Sequence, residues 1–108
     1  KAEISIALIS PSEIQILNKK YRKKNKPTDV LSFVYFKNKE LLSGEVIVCP
    51  QIVKKNAKAA GLTFKKELAK VFIHGVLHLL GFDHEKTKNE ALKMFKKQDY
   101  YFSRIINQ

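Results

Sequence analysis

Residues 64–84 read FKKELAKVFIHGVLHLLGFDH, and this stretch decides what kind of protein the chain makes. Phe64, Leu68, Val71, Phe72, Gly75 and Leu79 recur at three- and four-residue spacing, the period of a helix with one apolar stripe. Thr63 stands where a hydroxyl caps the first turn, and Gly81 where the chain can turn out of the last one. All three histidines of the chain fall in this stretch. His74 and His78 are four apart and so share a helix face, and the turn at Gly81 lets His84 swing back toward them. Three neutral imidazoles with a fourth position left open form the ligand set of catalytic zinc, one ion per chain, whereas structural zinc sites usually close with cysteine. The competing reading takes His74 and His78 as interior polar residues and His84 as a loop residue. It leaves two imidazoles unsatisfied at a cost on the order of 1–3 kcal/mol each, and a shared ion removes that cost.

The spacing of His74, His78, Gly81 and His84 also follows the H-E-x-x-H-x-x-G-x-x-H pattern of zinc proteases, so a zincin-like metal-site helix is expected. One position departs from it: Gly75 stands where those proteases carry the glutamate that deprotonates water. A peptidase of that mechanism is therefore disfavoured. A glycine inside a helix costs about 1 kcal/mol against alanine, so Gly75 serves either close approach of a strand or substrate, or packing.

Outward from the histidine helix toward the N-terminus, Pro50 to about Ala60 reads as a helix with Gly61 as its left-handed cap. Glu45–Cys49 reads as a strand and Lys37–Gly44 as the loop before it. Val30–Phe36 is dense in β-branched and aromatic residues with almost no polar alternation, which predicts a central strand covered on both faces. From Glu3 to Ile9, Ile4, Ile6 and Leu8 alternate with small residues as in a strand with one buried face. Ser10, Pro11 and Glu13 then form a capping box opening a helix whose buried stripe is Ile14, Leu17 and Tyr21. Toward the C-terminus, Thr87 and Glu90 form a second box before a last helix with Leu92, Phe95, Phe102 and Ile106 along one side. The fold class expected is α+β, a small mixed sheet of three to four strands packed with helices, with the His74 helix lining a cleft at the sheet's edge.

With 108 residues and 44% hydrophobic content, the chain is one domain, residues 1–108, with a modest core. Lys1 rather than methionine comes first, so residues ahead of it are allowed for. No apolar run approaches the roughly 20 residues of a membrane span, and no membrane partner is expected. Cys49 is the only cysteine, which rules out an internal disulfide and Cys-x-x-Cys chemistry and fits a reducing cytoplasmic setting. Beside Pro50 it reads as a small buried residue. The formal net charge is +11, carried almost wholly by lysine. The charge is densest from Lys19 to Lys26, just before Pro27. Two readings stand: a docking surface for a polyanion, and a solvated helix end whose cations complement the helix dipole.

Three segments together resemble the YbeY-type endoribonucleases, a family of single-metal ribosomal RNA maturation factors. They are LNKKYRKKNKPTDVLSF from Leu17 to Phe33, SGEVIVC from Ser43 to Cys49, and HGVLHLLGFDH from His74 to His84, in the family's order and approximate spacing. The resemblance implies zinc ligands at His74, His78 and His84 and a functional arginine at Arg22 of the Tyr-Arg pair. Family members commonly carry Gly-Asp where this chain has Gly44 and Glu45, which keeps the charge and lengthens the side chain. Set against that family, this sequence is expected to begin at the first strand, without the segment that longer relatives carry before it, and to end early in the last helix.

The parts suit phosphodiester hydrolysis in their own right: an ion that acidifies water and polarises a phosphoryl oxygen, and a guanidinium that grips phosphate bidentately. Arg22 is the expected phosphate clamp. Lys20, Lys23, Lys24 and Lys26 are expected to attract RNA without reading its sequence. Asp83, Glu85 and Glu45 are candidates for a general base, and Asp83 alternatively orients a histidine. Asp29 and Ser32 are expected to fix the turn and strand behind the site, with Thr28 and Asp29 bonding local backbone. The function expected is a zinc-dependent endoribonuclease maturing single-stranded ribosomal RNA precursors, at the 3′ end of the small-subunit RNA as the resemblance implies. Ribosome quality control, ribosome or assembly-protein partners and a lack of DNA specificity go with that reading. The alternative is a non-catalytic RNA-binding assembly factor with a structural metal, and a third possibility is a metallopeptidase with another carboxylate as base.

Overall fold

The computed structural model describes residues 1–81 and, beyond them, Leu92, Lys93, Lys96, Lys97 and Tyr100, each of which is helical. The elements run β1 (Ala2–Leu8), α1 (Pro11–Arg22), β2 (Val30–Lys37), β3 (Leu42–Val48), α2 (Pro50–Ala60) and α3 (Phe64–Leu79). The sheet order is β1-β3-β2, with β3 parallel to β1 and antiparallel to β2, so the expected α+β architecture with a mixed sheet is what the chain adopts. His84, Asp83, Glu85 and the last capping box lie outside the described residues.

The helix boundaries follow from residues that fix backbone geometry. Ser10 accepts from the Glu13 backbone N–H at 3.2 Å, and Glu13 accepts from the Ser10 N–H at 3.1 Å, so the capping box is complete. Gly61 ends α2 at φ 71°, and Thr63 caps α3 by accepting from Lys66 N at 3.2 Å. One cluster of buried residues joins Ile14 of α1 to Leu31, Ile47 and Cys49 on one face of the sheet. A second joins Val46, Val48, Val53, Val71 and Leu79, placing α2 and α3 on the other face. Cys49 is fully buried, as its neighbours required.

The sheet corrects four expectations. β3, not β2, is central: β2 lies at an edge of the described sheet, and Val34, Tyr35 and Phe36 are exposed. Its apolar run is covered only in its first half, where Leu31 meets α1 and Val30 packs toward α3. β3 also begins at Leu42 rather than Glu45, because the Asn38 side chain accepts from both Glu40 N and Leu41 N at 2.8 Å and tightens the hairpin loop. Ile6 and Leu8 remain 55% and 65% exposed, forming with Leu68 and Phe72 an apolar groove beside β1. Tyr21 and Phe64 are exposed too, Tyr21 in the last turn of α1 and Phe64 at the first position of α3.

Two glycines let α3 lie close on the sheet. A Cβ at Gly75 would stand 2.8 Å from Val46 Cγ1, and one at Gly44 would stand 2.7 Å from the Phe33 carbonyl oxygen and 2.9 Å from Leu79 Cδ2. Strand approach is therefore what Gly75 serves. No helix among the described residues is long and apolar enough to cross a membrane.

Candidate active site

The outer edge of β2, unpaired among the described residues, forms the floor of a cleft of about 290 Å³ between the C-terminal end of α1 and the histidine face of α3. Arg22, Lys24, Lys26, Asn18, Ser32, His74 and His78 are among its lining residues. The two histidines meet because they are one helical turn apart: their Nε2 atoms lie 3.1 Å from each other, with ring centroids 4.6 Å apart and planes at 69°. Two nitrogens bound at about 2.0–2.1 Å to one tetrahedral ion stand roughly 3.3 Å apart, so this pair fits a shared zinc. The described residues contain no group of three potential ligands, and His84, the expected third, lies outside them.

Arg22 ends α1 and turns toward β2, where its Nη2 donates to the Ser32 carbonyl at 3.3 Å. That bond uses one of the guanidinium's five N–H groups, whose planar fork is the geometry that suits arginine to phosphate in general. Ser32 works from both ends. Its hydroxyl donates to the Gly75 carbonyl at 2.8 Å, tying β2 to the helix turn that separates His74 from His78. Sequence reasoning expected Ser32 behind the site; it stands between the site's two halves.

Asn18 was missed by sequence reasoning. It is buried, donates through Nδ2 to the Lys26 carbonyl at 2.9 Å, and its own carbonyl accepts from Lys24 N at 3.3 Å. These bonds curl the basic segment back against α1 and set Lys24 and Lys26 on the cleft rim. Lys23 begins that reversal in the left-handed conformation, φ 59°. The available signal was a polar residue at a stripe position of α1, one turn after Ile14. Lys20 lies elsewhere, with its Nζ 5.2 Å from the centre of the Tyr21 ring.

Among the carboxylates, Asp29 lines the cleft and receives the Thr28 hydroxyl at 3.4 Å, while its carbonyl accepts from Cys49 N at 2.9 Å. The expected Thr28 bond thus goes to a side chain. Glu45 pairs in register with Phe33 and shares the α1 face of the sheet with Ile47, away from the histidines. The Tyr35 hydroxyl donates to its Oε1 at 2.6 Å, and that bond, with the carboxylate's charge, raises the phenol's pKa above its ordinary value.

A family model described as endoribonuclease YbeY matches residues 1–106. The chain is similar to the endoribonuclease YbeY of Thermotoga neapolitana, 42% identical over 104 residues that make up 96% of this chain and 68% of that protein. It is similar also to that of Bdellovibrio bacteriovorus, 40% identical over 108 residues, 100% of this chain and 71% of the relative. Among solved structures, the solution structure of a Thermotoga maritima protein matches with a TM-score of 0.64 at 41% identity, covering 94% of this chain and 67% of that one.

Proposed function

The chain belongs to the YbeY endoribonuclease family, and from that membership we propose that it is a zinc-dependent enzyme cleaving single-stranded ribosomal RNA precursors. Its class is nuclease hydrolase and its substrate class RNA. The observation that carries the finer reading is the 3.1 Å approach of the His74 and His78 Nε2 atoms on the wall of the cleft that Arg22 also lines. His74, His78 and His84 would hold the ion. Zinc bound there would acidify a water and polarise a phosphoryl oxygen. Arg22 grips the scissile phosphate across the cleft, and Lys24 and Lys26 bind its neighbours along the strand. Ser32 keeps the clamp and the histidine turn at a fixed separation through its two hydrogen bonds. Trimming of the 3′ end of small-subunit RNA, in the cytoplasm and beside ribosome or assembly proteins, is the setting that the family resemblance supports.

The test compares the wild type, His78→Ala and Arg22→Ala on a labelled single-stranded RNA with added zinc or chelator, each protein's zinc content and folding being measured separately. The expected outcome is zinc-dependent cleavage by the wild type and none by His78→Ala. Arg22→Ala should retain zinc and lose most cleavage. A folded, zinc-loaded wild type that leaves RNA intact, and that unfolds cooperatively on chelation, would instead identify a structural metal in a non-catalytic RNA-binding protein.

A further inference from the structure

The outer half of β2 displays aromatic rings that the sheet does not bury. Tyr35 of β2 is 65% exposed, and Tyr21, in the last turn of α1 beside it, is 55% exposed. Both belong to the α1 face: Tyr35 reaches Glu45, Glu45 pairs with Phe33, and the Phe33 ring meets Tyr21 edge-on at 5.2 Å between centroids. Tyr21, Phe33 and Tyr35 thus form one strip. It continues from the cleft, since Tyr21 adjoins Arg22, Phe33 adjoins Ser32, and the Arg22 side chain bonds the Ser32 carbonyl.

We propose that this strip is a base-stacking subsite for single-stranded RNA, with Tyr35 as its principal platform and Tyr21 as a second; the inference rests on the ribonuclease reading above. Register pairing skips Tyr35, because Val34 faces Gly44 and Phe36 faces Ser43. A bulge of this kind re-aims a side chain, and bulges are frequent beside functional sites. The bond to Glu45 holds the ring in one orientation, so little freedom is lost when a base lands on it. Cations flank the Tyr21 end of the strip, Arg22 on the cleft side and Lys20 over the Tyr21 ring, while the one carboxylate in it, Glu45, is engaged by the Tyr35 hydroxyl; phosphates are neutralised at that end and bases find flat apolar surface along the strip. A ring face accepts any base, so the subsite would hold and orient the strand without selecting a sequence.

The experiment measures binding of a cleavage-resistant 2′-O-methyl phosphorothioate oligoadenylate and of its abasic counterpart by fluorescence anisotropy, using the zinc-loaded full chain. Tyr35→Leu and Tyr21→Leu are each expected to weaken binding of the base-bearing strand by about 5- to 150-fold and to leave the abasic strand unchanged. Tyr35→Phe, which keeps the ring and loses the Glu45 bond, should weaken binding of the base-bearing strand by less than Tyr35→Leu does and leave the abasic strand unchanged. Equal loss on both strands, or no loss on either, would overturn the subsite while leaving the nuclease reading intact. Failure of the wild type to bind either strand would strike the nuclease reading itself, and the subsite with it. Thermal melts of each variant separate lost stacking from lost folding.

Discussion

Gly75 shows how one hydrogen atom in place of a methyl group decides the geometry of the site. The sequence raises the question, because a glycine between two histidines of a helix weakens that helix, and the packing answers it. Alanine there would gain about 1 kcal/mol of helix propensity. Its Cβ would also sit 2.8 Å from Val46 Cγ1 and 3.2 Å from both Ser32 Oγ and Val30 Cγ2. Val46 is fully buried and β-branched, so it has nowhere to turn. Overpacking of this kind costs about 1–3 kcal/mol and outweighs the gain. Gly75→Ala should therefore be less stable than the wild type in urea unfolding, by up to about 2 kcal/mol, and should weaken the Ser32 to Gly75 bond that sets the histidine turn. A variant more stable than the wild type would mean that the strand yields and that the close approach is not a constraint.

The elements divide into those whose ends carry their own instructions and those placed by their neighbours. Ser10, Pro11 and Glu13 specify the start of α1 locally, and α1 begins there. The bonds from the Ser10 backbone and side chain lower the Glu13 pKa below the ordinary carboxylate value. A depressed carboxylate contributes stability that is complete above its unfolded pKa and is lost as pH falls through the folded value. Thermal melts should thus show a step of acid destabilisation that shrinks in Glu13→Gln, and Ser10→Ala should cost about 1 kcal/mol at neutral pH. Gly61, Thr63 and Pro50 were legible for the same local reason. The position of β2 was not, because an unbroken apolar run has the same signature whether helices cover it or it stands at an edge. Tyr35 and Phe36 supplied the apolar character that suggested burial, and they are exposed. The histidine pair was legible from a helical period alone. The place of Ser32 was not, since it depends on β2 and α3 meeting across 43 positions of sequence.

Over the whole molecule, the sheet edge, the end of α1 and the face of α3 close on one cleft, and the chain that forms it carries a formal net charge of +11. If Arg22, Lys24 and Lys26 each neutralise one phosphate, the logarithm of RNA affinity should fall against the logarithm of salt with a slope of roughly −2, at about −0.7 per contact on a single strand. Lys26→Ala should flatten that slope by about 0.7 in an anisotropy titration across salt concentrations, and an unchanged slope would remove Lys26 from the strand's path. The groove of Ile6, Leu8, Leu68 and Phe72 answers to the same variable in the opposite direction. Like charge keeps copies of the chain apart, and dissolved ions mute that repulsion while leaving the attraction between oily surfaces intact. The salt that loosens RNA should therefore also let the protein molecules approach one another, so light scattering from a concentrated sample free of RNA should rise over the same salt range.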